Sequence, residues 1–182
     1  MRERRDCSLP RQRYYLIFDS SSIIVLWELG VLAEIFKRLS MNNTELSAII
    51  PLKVYEELSR GSVNVGQLAN IIQVKKFSDE RVATHLPEGL GEGEKEAILL
   101  ALSMKSTGRV IVITDDLKAR KTCERLSIEV LGSLGLIKLL KRYKVISKNE
   151  ALTLIEKTES TSLRIKTELL HRARYKIETQ EL

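Results

Sequence analysis

The sequence predicts an α/β fold, namely a three-layer α/β/α sandwich around a mostly parallel central sheet, followed by a helical C-terminal extension. Two observations lead to this fold class. Short apolar runs typical of buried strands alternate with longer segments in which apolar residues recur at helical spacing. In addition, a chain of 182 residues, 43% of them hydrophobic, is long enough to bury one sheet between helices on both faces.

The chain begins its predicted core with an aromatic-rich apolar run at residues 14–18, which indicates a buried strand. The serines at 20–22 are suited to cap a helix that ends near Gly30. A second helix is predicted over residues 32–39, because apolar residues repeat there at helical spacing while Lys and Arg face out.

The next predicted strand covers residues 46–50, and Pro51 after it is well placed to open a third helix. Residues 71–77 have strand character, but Lys75 and Lys76 suggest an exposed or edge position.

The second half of the chain carries the clearest signals. A glycine-rich approach at residues 89–93 leads into a helix over residues 94–104, and the Val-Ile-Val-Ile run at 110–113 is the clearest strand. The alternation is completed by a helix at 118–126, a strand at 128–131 and a helix at 134–143.

Composition limits the cellular location and the type of partner that we expect. The most apolar stretch, residues 23–27, is interrupted by Glu28, so no membrane helix is predicted. Two cysteines far apart in the sequence, Cys7 and Cys123, indicate a reducing compartment, and we expect a cytoplasmic protein. The net charge of +6 favours a polyanionic partner.

Acidic residues directly follow two of the predicted strands. Asp19 ends the first strand, and the pair Asp115 and Asp116 ends the fourth. In a parallel sheet, reactive groups collect at the carboxyl ends of the strands. Glu57 lies on the helix that follows the second predicted strand, and Glu94 lies in the first turn of the helix after the glycine-rich segment. Each acid alone has an ordinary explanation as a helix cap or a solvated side chain.

Convergence of these acids would be unstable without a cation, so it implies a divalent metal, and oxygen ligands favour Mg²⁺ or Mn²⁺. Without metal, mutual repulsion should raise the pKa of at least one of them. The chain lacks a phosphate-binding P-loop and a Gly-x-Ser-x-Gly nucleophile motif. Its two histidines, His85 and His171, are assigned no role.

Four blocks in this order resemble the PIN-domain family, in particular its stand-alone prokaryotic branch related to VapC-like toxin ribonucleases. The resemblance extends from residue 15 to about residue 140 and also includes the segment Val130–Gly135. The four blocks are Leu16–Ser21, Pro51–Leu58, Leu90–Ile98 and Ile113–Asp116.

The resemblance implies that Asp19, Glu57, Glu94 and Asp116 are catalytic and bind the metal. Asp115 is a second candidate ligand beside Asp116, and Glu56 competes with Glu57. Many relatives have Asp where this chain has Glu94, whose longer side chain would place the metal differently.

Three regions are expected. Residues 1–13 are polar and basic and look like a flexible arm, the resemblance implies a PIN-like nuclease domain at 14–146, and residues 147–182 look all-helical and form a C-terminal extension outside the match. Within the domain, we expect Ser20 or Thr114 to orient a carboxylate or a water molecule through a hydrogen bond. Lys118 and Arg120 would guide the RNA backbone.

The resulting hypothesis is a Mg²⁺- or Mn²⁺-dependent endoribonuclease that acts on single-stranded or structured RNA. It would be either a toxin, partnered by an antitoxin protein, or an RNA-processing factor. The alternative is a catalytically weak nucleic-acid-binding or scaffold module with the same fold. A phosphoacceptor receiver domain fits poorly, because its acidic pair would follow the first strand.

A homodimer is also expected, because two consecutive helices carry more apolar residues than one sheet can cover. The competing explanation is that these residues close the core of a monomer. They are Trp27, Leu29, Val31, Leu32, Ile35 and Phe36.

Overall fold

The computed structural model describes residues 13–41, 45–61, 63, 65–68, 71–78 and 86–179. Its centre is a five-stranded sheet with the order β3-β2-β1-β4-β5, in which every neighbouring pair is parallel. The predicted α/β class with a parallel sheet is therefore confirmed, while the predicted arm lies outside the described residues except for Arg13. The strands are β1 (Tyr14–Phe18), β2 (Leu46–Pro51), β3 (Gln73–Lys75), β4 (Arg109–Ile113) and β5 (Glu129–Leu131).

Eight α-helices and two short 3₁₀ segments, Val65–Leu68 and Thr158–Ser160, are found in the described ranges. Gly30, with a φ of 72°, separates the first two helices in a backbone conformation that favours glycine. The helices are α1 (Ser20–Glu28), α2 (Leu32–Ser40), α3 (Leu52–Ser59), α4 (Glu92–Met104), α5 (Leu117–Arg125), α6 (Ser133–Arg142), α7 (Lys148–Lys157) and α8 (Thr167–Thr179).

The two faces of the sheet bury two separate apolar cores, because side chains alternate along each strand. Leu16 and Phe18 of β1 belong to one core, and Ile17 between them belongs to the other. The first core is covered by α1, α2, α3, α6, α7 and α8, and the second by α4 and α5. This alternation gives the three layers that the sequence predicts.

The edge strand β3 is shorter than the predicted strand at residues 71–77. Within the part of the chain that the structure describes, β3 pairs with β2 alone and so lies at the edge of the sheet, and Lys75 is its last residue. The predicted edge position is confirmed. The third helix begins at Leu52, with Pro51 still in β2.

The apolar residues of α1 and α2 are mostly inside the first core, which removes the premise of the predicted dimer. Leu29, Leu32, Ile35 and Phe36 are at most 7% exposed, and only Trp27 is largely open, at 42%. The premise was wrong because helices from the end of the chain cover them. Arg38 of α2, for example, forms an ion pair with Glu150 of α7.

Helices α7 and α8 belong to the same core rather than to a separate one. Their apolar residues are continuous with those of α1, α2 and α6, and they include Ala151, Leu154, Ile155, Leu170, Ala173 and Ile177. Across the part of the chain that the structure describes, no helix is long and apolar enough to cross a membrane.

Candidate active site

The strand order changes direction between the neighbouring strands β1 and β4. Strand β1 leads to β2 on one side, and β4 leads to β5 on the other. Phe18 and Ile113 are directly paired, so Asp19 and Thr114 leave the sheet side by side. A crevice at the carboxyl ends of such strands is the usual ligand site of a parallel α/β sheet.

Asp19 is the most enclosed acid at this edge, with 3% of its surface exposed. Its Oδ2 accepts hydrogen bonds from the hydroxyls of Ser21 and Thr114, each at 2.9 Å. Asp19 occupies the N-cap position of α1, yet no backbone amide makes a capping hydrogen bond of normal geometry to its side chain. Burial raises the pKa of Asp19, and the bonds from Ser21 and Thr114 only partly oppose this rise.

Glu57 connects the starts of two helices at the same edge. Its Oε2 accepts a hydrogen bond from the Ser20 hydroxyl at 2.6 Å, and its Oε1 accepts one from the Gly93 amide at 3.0 Å. Glu56, the alternative acid, pairs with Lys53 at 3.0 Å along the surface of α3. The structure therefore directs Glu57, and not Glu56, towards α1 and α4.

Glu94 lies in the first turn of α4, where its Oε2 accepts a hydrogen bond from the Gly91 amide at 2.8 Å. Its pKa is raised, mainly by burial and additionally by the negative charges of Asp19, Asp116 and Glu57. A raised pKa with a contribution from mutual repulsion is what the sequence leads us to expect, and burial is the larger of the two causes. Asp19, Asp116 and Glu57 therefore all lie close enough to Glu94 to act on it electrostatically.

The side chains of Asp115 and Asp116 accept hydrogen bonds from the starts of different helices. Asp116 caps α5, since its Oδ1 accepts a hydrogen bond from the Ala119 amide at 2.7 Å. The Asp115 carboxylate accepts hydrogen bonds from the amide of Ser133, at 2.9 Å, and from its hydroxyl, at the start of α6. Asp115 is therefore turned towards α6, whereas Asp116 contributes to the field at Glu94.

Four of the five acids lie at or just before helix starts, and the side chain of Glu57, from late in α3, reaches the starts of α1 and α4. The partial positive charge and unpaired amides of helix starts stabilise carboxylates. Their oxygens are the donor type that Mg²⁺ and Mn²⁺ prefer, so the chemistry of the set fits such an ion. Among the described residues, however, no three His, Cys, Asp or Glu side chains are arranged to hold one ion. The metal-binding roles of these acids therefore stay predictions.

Of the remaining predicted site residues, some lie at the carboxyl edge of the sheet and others lie beside it. Ser20 and Thr114 do bind carboxylates, those of Glu57 and Asp19. Lys118 donates a hydrogen bond to the Gly89 carbonyl at 3.1 Å, and Arg120 lines a neighbouring groove. His171 is exposed on α8, and His85 and Cys7 lie outside the described residues.

Two serines that bind the acids were not predicted. The Ser21 hydroxyl donates to Asp19 and accepts a hydrogen bond from the Asp115 amide at 3.1 Å, so it joins the ends of β1 and β4. Ser133 binds Asp115 from the end of β5. Their position directly after strand ends was the available signal, but only the folded chain shows which acid each one contacts.

Gly93 offers a direct test of the position of Glu57. A Cβ atom at residue 93 would lie 2.7 Å from the Glu57 Oε2 and 2.9 Å from a methyl group of Val54. We expect Gly93→Ala to displace the Glu57 carboxylate and to lower nuclease activity by about 10- to 100-fold, as loss of an orienting contact does at metal sites. Overpacking against Val54 should cost about 1–3 kcal/mol of stability.

Gly91→Ala is the matched control, because a Cβ there would have only ordinary contacts, 3.7 Å from Glu94. Cleavage rates and thermal melts of both variants are the measurements. Equal activity of the two variants would show that the Glu57 position does not matter.

A PilT N-terminus domain protein from the hyperthermophilic archaeon Sulfolobus solfataricus P2 is a similar solved structure, with 14% identity and a TM-score of 0.46 over 84% of this chain and 99% of that one. At this level, the structural similarity carries no argument about function. Comparison with curated protein sequences gives no significant match.

The family comparison is decisive. The sequence model of the PIN domain matches residues 15–179, which include helices α7 and α8 as well as the strand-end acids. Proteins of this family are generally nucleases. The chain belongs to the PIN-domain family.

Proposed function

We propose that this protein is a Mg²⁺- or Mn²⁺-dependent endoribonuclease that hydrolyses phosphodiester bonds of RNA at the carboxyl edge of its sheet. The observation that carries the proposal is the buried Asp19 between β1 and β4, which together with Asp116 and Glu57 lies close enough to Glu94 to raise its pKa. Membership of a family of nucleases supports the same chemistry.

Asp19, Glu57, Glu94 and Asp116 would hold the cation, with Asp115 as a further candidate. A bound divalent ion lowers the pKa of a coordinated water and offsets the negative charge that develops on a phosphate under attack. The hydroxyls of Ser21 and Thr114 fix the orientation of Asp19. Ser20 and the Gly93 amide do the same for Glu57. These bonds hold two carboxylates in place before substrate arrives, which favours catalysis.

RNA as the substrate is supported by charge. The chain has 30 Lys and Arg residues against 24 Asp and Glu, and Lys118 and Arg120 of α5 stand beside the acidic edge. Cationic side chains next to a carboxylate site would attract the phosphate backbone that the acids alone would repel.

The cellular setting is proposed in two forms, a toxin of a toxin–antitoxin pair or an RNA-processing factor in the cytoplasm. The first form requires an antitoxin protein as partner. A homodimer stays a prediction, now resting on the exposed Trp27 rather than on the whole apolar surface of α1 and α2.

The test is cleavage of end-labelled single-stranded and hairpin RNA by the purified protein. We expect cleavage with Mg²⁺ or Mn²⁺, none in EDTA, and recovery when excess metal is restored. A Glu57→Gln preparation made in parallel should be inactive, and Glu56→Gln should retain activity because Glu56 pairs with Lys53. Cleavage that persists in EDTA would contradict the proposal, and RNA binding without cleavage would favour the catalytically weak module instead.

A further inference from the structure

A groove of about 830 Å³ lies between α5, α6 and α8. Asp115 and Gly132, which follow β4 and β5, belong to its lining, so it opens beside the candidate active site. Its other wall consists of residues 163–166 and of α8. The C-terminal part of the chain therefore builds a surface that the proposed cleavage chemistry does not use.

Positive charge dominates this groove. Seven Lys and Arg side chains line it, two on α5, one on α6, two in the segment before α8 and two on α8, against the two acids Asp115 and Glu124. Asp115 already accepts two hydrogen bonds from Ser133. The groove thus has an excess of cations over acids.

The groove cations differ from Arg174, a cation on another face of α8, in their ion pairing. Among the residues that the structure describes, none of the seven forms an ion pair. On another face of α8, Arg174 pairs with both Glu156 and Glu178. On α8, therefore, Arg174 has acidic partners, whereas Arg172 and Lys176 on the groove side have none among the described residues.

Three of these cations are crowded together. Arg172 and Lys176 are one turn apart on α8 and share a face, and Lys138 of α6 stands near them. The pKa of Lys138 is lowered, mainly by partial burial and additionally by the charges of Lys176 and Arg172. Such repulsion destabilises the free protein and would be relieved by a bound polyanion.

Apolar side chains lie exposed among the charges. Leu117 is 65% exposed and Leu169 is 50% exposed, and both line the groove together with the partly buried Leu163 and Ile165. A single strand presents its bases for apolar contact, whereas a duplex keeps them stacked inside. The combination of cations and exposed leucines fits a single strand better than a duplex or an acidic peptide.

We propose that this groove binds the phosphate backbone of single-stranded nucleic acid, and of RNA in particular, and leads the strand to the carboxyl edge of the sheet. The choice of RNA rests on the proposed function. The groove makes the C-terminal helix α8 a substrate-binding wall, with Arg172, Lys176 and Lys138 as its central phosphate contacts.

Fluorescence anisotropy with a labelled oligouridylate of about 12 nucleotides tests the proposal, a length chosen from typical single-strand site sizes. EDTA is present throughout, so binding is measured without cleavage. We expect the double variant Arg172→Gln and Lys176→Gln to bind more weakly. The slope of log affinity against log salt should fall by about 0.7 per lost contact, and so by about 1.4. The control removes two exposed cations elsewhere, Lys37→Gln and Lys157→Gln, and should leave the slope unchanged.

Unchanged binding by the groove variant, or an equal loss in the control, would overturn the inference. So would equally tight binding of an RNA duplex or of polyglutamate. If the variant does not fold, as judged by circular dichroism, Arg164→Gln with Lys166→Gln tests the same groove from the segment before α8. If RNA is cleaved and the groove substitutions have no effect, only this inference is wrong. If RNA binds in the groove but is not cleaved, only the proposed function is wrong.

Discussion

Replacing Asp19 with asparagine is expected to abolish metal-dependent cleavage while the protein stays folded. Asparagine has nearly the same shape, and its side-chain oxygen still accepts the hydrogen bonds from Ser21 and Thr114. The charge that would hold the cation is lost. Removing a group that merely orients a metal ligand costs about 10- to 100-fold, so loss of the ligand itself should cost at least about 100-fold in rate.

Stability measurements give the same variant a second readout. Because the pKa of the buried Asp19 is raised in the folded state, ionised Asp19 opposes folding at neutral pH, and wild-type stability recovers as pH falls through that raised pKa. Asp19→Asn removes this dependence. Without metal, the variant should therefore melt at the same temperature as the wild type or higher at pH 7, and the difference should vanish at acidic pH.

Thermal melts with and without Mg²⁺ complete the experiment. The ion should raise the melting temperature of the wild type, since a ligand that binds only the folded state stabilises it, and it should leave Asp19→Asn unchanged. Glu56→Gln is the control, because Glu56 lies on the outer surface of α3 beside Lys53. Unfolding of Asp19→Asn at neutral pH would instead assign Asp19 a structural role.

The central strands and the acids after them were predictable because the signals are local. Strands β1 and β4 are buried on both faces, so their sequences are continuous apolar runs, and Asp19 and Asp115 mark where each run ends. Parallel strands bring those ends to one edge, and this follows from topology without any knowledge of side-chain contacts.

Features that depend on distant packing were not predictable. Ile35 of α2 lines one pocket with Leu154 of α7, more than 100 residues later in the chain, and both belong to the same core, so the premise of the dimer argument failed. The hydrogen bonds of Ser21 and Ser133 depend on the spacing between neighbouring strands. The basic groove needs α5, α6 and α8 together, so a charge pattern along the sequence could not reveal it.

Glu96 is the clearest example of a residue whose role only the fold reveals. The sequence places it two residues after Glu94 in a charged stretch, yet it is 7% exposed. Its Oε2 accepts a hydrogen bond from the Lys53 amide at 2.6 Å, in the first turn of α3, and its Oε1 accepts one from the Phe77 amide at 2.9 Å. One carboxylate thus fixes α3, which carries Glu57, against α4 and the segment after β3.

We expect Glu96→Ala to be strongly destabilising. It leaves the partly buried amides of Lys53 and Phe77 without their charged acceptor, and each such bond contributes about 1.5–3 kcal/mol, so the loss should be about 3 kcal/mol. For a chain of this size, that corresponds to a fall in melting temperature of about 6–12 °C. Differential scanning calorimetry measures it, and Glu96→Gln, which keeps one acceptor oxygen, should fall between the wild type and Glu96→Ala.

Glu92→Ala is the matched control on the same helix. Among the described residues, the exposed Glu92 forms an ion pair with Lys95 alone, at 2.7 Å, and surface ion pairs of this kind contribute at most about 1 kcal/mol. A Glu96→Ala melting temperature no lower than that of Glu92→Ala would show that the two amides find other partners and that Glu96 does not hold α3. If the large loss of stability is found, the activity of Glu96→Ala at low temperature distinguishes loss of activity through unfolding from loss of activity through displacement of Glu57. Activity that falls further than the folded fraction means that Glu57 has moved with α3, because both carboxylate oxygens of Glu96 are bound to the Lys53 and Phe77 amides.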